Sequence, residues 1–97
     1  MNEMLAAVKM ALRMTTDSFD TELVRLIRSA MDDLGIAGVD TDDALTEPII
    51  RTAICTYVKM NFGEPDSHDR LKASYDEQKA QLSTSMRYRR VTWTDQQ

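Results

Sequence analysis

A short acidic stretch is the first place in this chain where side chains could bind a metal. Asp40, Asp42 and Asp43 stand close together, as carboxylates do at the start of a calcium-binding loop. Counted from Asp40, however, the fifth position is Ala44 and the sixth is Leu45, where such a loop needs an oxygen-bearing residue and a glycine. We therefore interpret these carboxylates as solvated loop residues and expect no metal and no other cofactor.

Two further side chains are candidates for catalysis. Cys55 has Arg51 and Lys59 four residues to either side, and these cations could lower the pKa of its thiol. His68 stands between Ser67 and Asp69, but consecutive residues cannot form a catalytic triad, whose geometry needs distant chain segments. Because neither side chain has a catalytic partner, we predict a half-buried structural thiol, a histidine in the first turn of a helix, and no enzyme.

The C-terminal segment is the part of the chain best suited to binding. Its candidate residues are Arg87, Tyr88, Arg89, Arg90 and Trp93. Residues 87–97 hold three arginines and one aspartate, a net +2, whereas residues 1–86 hold 9 basic and 15 acidic residues, a net −6. Such a segment could dock on an acidic protein surface, contact nucleic acid, or either fray at the terminus or pack on its own domain. We favour protein docking.

Composition limits the protein to one small domain. The 97 residues carry a net charge of −4, with 42% hydrophobic and 29% charged residues, and a chain this short supports one hydrophobic core. An acidic chain is a poor general binder of DNA or of an anionic membrane. One cysteine excludes an internal disulfide, and no apolar run approaches the roughly 20 residues that span a bilayer.

The elements that would position these residues all have helical spacing. We predict four helices with apolar faces, the second at about 20–35 and the fourth at about 67–84. The apolar residues are Met1, Leu5, Val8 and Leu12, with Met4 and Ala11 beside them, in the first; Leu23, Leu26, Ile27, Ala30 and Leu34 in the second; Ile49, Ile50, Ala53, Ile54, Tyr57, Val58 and Phe62 in the third; and Leu71, Tyr75, Gln78 and Leu82 in the fourth. The third face is the broadest, which places that helix at the centre.

Capping residues and breaks mark the ends of these helices. Asp17, Ser18 or Asp20 could cap the second helix and Thr46 the third, and Pro48 is tolerated in a first turn. Gly35 and Gly38 can end the second helix in a left-handed conformation. We predict an all-α fold, a compact bundle of about four helices over residues 1–84 with a connecting loop at 39–46, followed by an extended C-terminal tail at 85–97.

The order of these pieces resembles the small head–tail connector, or adaptor, proteins of long-tailed bacteriophages, often called DNA-packaging proteins. The similar segments are VKMALRM (8–14), DTEL (20–23), LIRSA (26–30), AICTYV (53–58) with FG (62–63), LKASY (71–75) and LS (82–83). Together they cover about residues 5–83. The tail after Arg87 cannot be matched residue by residue.

This resemblance implies a structural protein that forms a ring at the portal vertex of the capsid, extends the DNA channel and joins head to tail. The implied partners are the portal protein, a stopper or tail-completion protein, further copies of the chain, and passing DNA without sequence-specific binding. The ring would be roughly twelve-fold if it follows the portal, and the free chain could be a monomer. The implied location is the virion, after assembly in the cytoplasm of the bacterial host.

The resemblance also implies roles for charged residues. The five tail residues from Arg87 to Trp93 become candidates for docking on the portal. A ring needs two different faces of one subunit to meet, and opposite charges supply such faces. The basic set is Arg51 and Lys59, and the acidic set is Asp32, Asp33, Asp40, Asp42 and Asp43.

A small helical regulator is the alternative reading. An antitoxin or anti-repressor would be a dimer with a partner-binding tail, and the arginine-rich end of this chain would suit it. No short turn joins two helices with a basic recognition face, so the sequence lacks a helix-turn-helix pattern.

Overall fold

Four α-helices form the fold. The computed structural model describes residues 2–42, 44–63, 66–85 and 88. The helices are α1 (Asn2–Ala11), α2 (Asp20–Ile36), α3 (Pro48–Asn61) and α4 (His68–Thr84). No strand occurs within these described ranges. The all-α class and the four predicted helices are confirmed, and α2 and α4 each differ by one residue from the predicted bounds.

Helix α3 lies at the centre, as its broad apolar face predicts. It packs against α1, α2 and α4, and Ile50, Ala53, Ile54 and Val58 are at most 1% exposed. The interface with α4 is the largest and that with α2 is the next largest. Because three helices cover α3, its burial accounts for much of the hydrophobic stabilisation of the domain.

The apolar stripes of the other helices face this core, with local corrections. All five predicted residues of α2 are buried, as are Tyr75 and Leu82 of α4. In α1 the buried residues are Met4 and Val8, so the stripe is rotated toward Met4. Ile49, predicted on the apolar face of α3, is 51% exposed, because one residue's step from buried Ile50 turns a side chain by about 100° around the helix axis.

The C-terminus of α1 is closed by a left-handed residue that is not glycine. Arg13 has φ 57°, its N–H donates to the carbonyl of Met10 at 3.1 Å, and the Met14 N–H donates to the carbonyl of Lys9 at 2.8 Å. This pair of hydrogen bonds is the Schellman motif. The sequence Leu12-Arg13-Met14 therefore ends α1, and Met14 is half-buried against the core.

The C-terminus of α2 uses the same motif with the glycine expected there. Gly38 has φ 92°, its N–H bonds the carbonyl of Gly35, and the Val39 N–H bonds the carbonyl of Leu34 at 3.0 Å. Gly35 itself lies inside the helix, so the prediction that it also ends α2 is wrong. One left-handed residue is enough to complete the motif.

Helices α2 and α3 begin differently from the prediction. Phe19 is the N-cap of α2, Asp20 is its first residue, and Glu47 rather than Thr46 precedes α3. Asp17 and Asp20 instead point their carboxylates at Lys9. A lysine ammonium competes with the helix amides for these oxygens, because charge-assisted hydrogen bonds are stronger than neutral ones.

The loop between α2 and α3 is more buried than expected. Val39 is fully buried, Ala44 is 3% exposed and Thr41 is 8% exposed. The loop therefore contributes to the core, although its aspartates suggested a solvated connection. Short apolar residues between aspartates have no helical or strand period, so the sequence carries no pattern that marks them as buried.

Two isoleucines of α3 offer a matched test of this packing. Ile54 is fully buried and Ile49 is half exposed. Ile54→Ala should lower the free energy of unfolding by about 2–5 kcal/mol, because it leaves a cavity at the centre. Ile49→Ala should cost about 1 kcal/mol at most. Urea unfolding followed by circular dichroism measures both, and equal costs would contradict the central position of α3.

Candidate assembly interface

A buried tyrosine links α4 to α2 through a carboxylate. The Tyr75 hydroxyl donates to Oδ2 of Asp33 at 2.6 Å, and Lys79 Nζ donates to the same oxygen at 3.1 Å. Lys79 Nζ also lies 5.4 Å from the centre of the Tyr75 ring. Asp33 was predicted to face another subunit, but its carboxylate is engaged within its own subunit, because α4 brings two donors to it.

The surroundings of Tyr75 keep its phenol neutral. The side chain is 2% exposed, and the Tyr57 ring packs edge-on against it at 5.2 Å. Burial, followed by the Asp33 carboxylate, raises the pKa of Tyr75 far above its ordinary value of 10.0. Ionisation of Tyr75 therefore disfavours the folded state, and the neutral hydroxyl serves as a structural donor to Asp33.

A second charged contact joins α1 to the start of α2. Lys9 Nζ lies 2.6 Å from Oδ1 of Asp17 and 2.9 Å from Oδ1 of Asp20. The two carboxylates raise the pKa of Lys9, and the hydrogen bond from Lys9 lowers the pKa of Asp17. Asp17 is almost fully exposed, so the contact orients the α1–α2 connection more than it stabilises it.

The predicted basic pair lines a groove between α1 and α3. Arg51, Cys55 and Lys59 stand at four-residue spacing on one side of α3, and Met10 of α1 faces the same groove. Its volume is about 530 Å³. Arg51 Nη1 donates to the carbonyl of Leu45 at 3.0 Å, which holds the guanidinium at the groove. Neither cation forms an ion pair with a described residue.

The surroundings of the thiol in this groove favour its neutral form. Cys55 is half-buried, and burial raises its pKa, while Lys59 and Arg51 offset only part of that effect. The prediction of a half-buried thiol is therefore confirmed.

In the described part of the chain, no three His, Cys, Asp or Glu side chains stand close enough to hold a metal ion.

The predicted acidic set is spread over α2 and the following loop. Asp32 is exposed on α2, and Asp42 is exposed in the loop. Asp40 is half-buried, and its Oδ1 accepts the Asp42 N–H at 3.0 Å. Asp43 lies outside the described residues. The structure thus places the acidic residues on a different helix and loop from the basic pair.

One of the five predicted tail residues falls within the described structure. Tyr88 is half-buried and packs on the core. Its carbonyl accepts the Asp40 N–H at 2.7 Å, and its N–H donates to Ser85 at 3.2 Å. Arg87, Arg89, Arg90 and Trp93 lie outside the described residues. At Tyr88 the chain therefore packs against its own α2–α3 loop, in line with the self-packed alternative for this one residue.

Exposed apolar side chains are the surface feature that the sequence reading missed. Ile36 is 87% exposed at the end of α2, and Met10 is 80% exposed on α1. Both lie outside the apolar stripes of their helices, and this position is the sequence signal that indicates their exposure. Phe19, 46% exposed, has a partner in Phe62, whose ring lies 5.4 Å away.

None of the described helices is both long and apolar enough to cross a membrane.

Comparison with known proteins gives one match. A family model described as "Phage connector protein" matches residues 4–89, which include all of the four helices except the first two residues of α1. No curated protein and no solved structure matches the chain.

The Tyr75 hydroxyl can be tested against a second tyrosine. Tyr75→Phe removes one of two donors to Asp33 and should cost about 1–2 kcal/mol of stability. Tyr57→Phe is the control, because the Tyr57 hydroxyl bonds no described residue, and it should change stability by less than about 0.5 kcal/mol. Urea unfolding at neutral pH measures both variants.

The same pair of variants gives an expected pH dependence. The pKa of Tyr75 is raised in the folded state, so its contribution is complete below the unfolded value of 10.0 and is lost as pH rises above it. Stability of the parent protein should fall more steeply above pH 10 than that of Tyr75→Phe. Parallel profiles would contradict the buried, neutral phenol.

Proposed function

The chain belongs to the phage connector protein family, and on this basis we propose that it forms a ring beneath the portal vertex, extends the DNA channel and joins the head to the tail. Family membership assigns the chain a structural role at the phage head–tail joint, and the match over residues 4–89 carries that assignment. The ring, the channel and the individual partners are the proposed part. The antitoxin-type alternative has no specific observation in its favour.

The contact between ring subunits joins a basic face to an acidic one. A closed ring of identical chains needs a heterologous contact, in which two different faces of each subunit meet. Arg51 and Lys59 at the α1–α3 groove form one face. Asp32, Asp33, Asp40, Asp42 and Asp43 contribute the other, with Oδ2 of Asp33 also accepting hydrogen bonds from Tyr75 and Lys79.

The C-terminal residues dock on the portal protein. The Tyr88 carbonyl accepts the Asp40 N–H, which places Tyr88 beside the α2–α3 loop. Arg87, Arg89 and Arg90 supply cations for an acidic partner surface, and Tyr88 and Trp93 supply aromatic contact area. The net −6 of residues 1–86 disfavours tight DNA binding, which suits a wall along which DNA must pass.

Mass in solution tests the proposed ring. Light scattering after gel filtration, over a wide concentration range, should give a ring-sized species for the chain alone or for the chain mixed with its portal. A compact dimer in both conditions would favour the regulatory alternative. A monomer alone that joins the portal in a stoichiometric complex would identify the portal as the template.

Charge reversal tests the contact between subunits. Arg51→Glu with Lys59→Glu should weaken assembly, because the groove would then repel the acidic face. Adding Asp32→Lys and Asp42→Lys should partly restore it. Light scattering measures the assembled fraction. Assembly that is unchanged by the first pair of substitutions would remove these cations from the interface.

Removal of tail side chains tests docking on the portal. Arg89→Ala, Arg90→Ala and Trp93→Ala together should reduce binding to the portal at least about tenfold, since arginine and tryptophan are the usual anchors of interfaces. Co-sedimentation with the portal measures the loss. The matched control is Arg70→Ala with Lys72→Ala on α4, which changes charge on another exposed surface and should leave binding intact.

A further inference from the structure

The two most exposed large apolar side chains in the described structure lie on different helices. Met10 is 80% exposed on α1, and Ile36 is 87% exposed in the last turn of α2. Isolated exposed apolar residues are ordinary. These two differ from that case, because the charged residues around Met10 are basic and those around Ile36 are acidic.

The surroundings of Met10 are basic. The α1–α3 groove that it lines also contains Arg51 and Lys59, four residues to either side of Cys55. Four residues make about one helical turn, so a cation lies on each side of an apolar floor. The floor is formed by Ala7, Met10, Ala11 and Cys55.

The surroundings of Ile36 are acidic. Asp32 stands one turn earlier on the same side of α2 and is exposed, and Asp40 and Asp42 follow in the loop. From residue 29 to residue 50 the sequence contains six acidic residues and no basic one. Acidic residues therefore precede and follow Ile36 in the sequence, and basic residues lie on both sides of the apolar floor of the groove.

We propose that Ile36 of one subunit inserts into the α1–α3 groove of a second copy, beside Met10, with Asp32 and the loop carboxylates meeting Arg51 and Lys59. The occupant of the groove is thus the α2 end of another copy of this chain. The opposite charges orient the two subunits as they approach each other. Ile36 and Met10 then form the desolvated apolar centre of the contact, which charge complementarity alone does not supply.

The contact is heterologous, because the Met10 groove and the Ile36 end are different faces of the same subunit. Each subunit uses both faces at once, so the contact propagates from copy to copy and closes only when the rotation permits a ring. The inference rests on the proposed ring, and it specifies which residues meet there.

Cross-linking between cysteines at the two exposed positions tests the contact. In a Cys55→Ser background, Met10→Cys with Ile36→Cys is treated with a short bismaleimide, in which each thiol adds to one maleimide double bond. The chain is used concentrated and also mixed with its portal. We expect a ladder of dimers, trimers and larger species on a denaturing gel, because each subunit is linked at two faces.

The matched control moves one cysteine along the same helix. Arg28 is exposed on α2 and stands eight residues, about 12 Å, before Ile36. Met10→Cys with Arg28→Cys should give at least about tenfold less cross-linked product. Equal ladders in both variants, a product that stops at the dimer, or no product in either condition would overturn the proposed contact.

Two substitutions at Ile36 give a second readout without cross-linking. Ile36→Lys places a cation against Arg51 and Lys59 and should weaken self-association at least about tenfold, whereas Ile36→Leu should preserve it. The side chain is exposed, so both variants should unfold like the parent. Ring formation that survives Ile36→Lys would overturn this contact and leave the connector role standing. Absence of any assembly by the parent chain, alone and with the portal, would instead count against the proposed function.

Discussion

The broad apolar surface of α3 is the constraint on which the other elements depend. Ile50, Ala53, Ile54 and Val58 occupy more than one side of this helix, and all are buried. A single neighbouring helix covers only one side, so α1, α2 and α4 must all pack on α3. The short α1 gains its stability from this packing, since ten residues are too few for an independent helix in water.

Polar contacts then fix positions that apolar packing leaves free. Apolar contacts are non-directional, whereas the hydrogen bond from Tyr75 to Asp33 has a defined geometry and sets α4 against α2. Lys9 plays the same part between α1 and the start of α2. These contacts engage the carboxylates of Asp17, Asp20 and Asp33 within the subunit, although Asp17 remains almost fully exposed.

The loop between α2 and α3 connects the core to the candidate binding surfaces. Val39 and Ala44 anchor it in the core, its Asp40 N–H holds Tyr88, and its carbonyl at Leu45 holds Arg51. One buried loop therefore positions both the start of the C-terminal segment and part of the basic groove. A subunit contact at this loop would therefore affect the positions of both Tyr88 and Arg51.

The sequence by itself determined the four helices, most of their buried residues and the family, because these depend on local spacing: all five stripe residues of α2, from Leu23 to Leu34, are buried. Only the tertiary structure decided which carboxylates are bound within the subunit and which loop residues are buried. Asp33 accepts a hydrogen bond from Tyr75, and Val39 of the α2–α3 loop is buried in the core. Each outcome depends on side chains distant in sequence, and helical periodicity describes only neighbours along one helix.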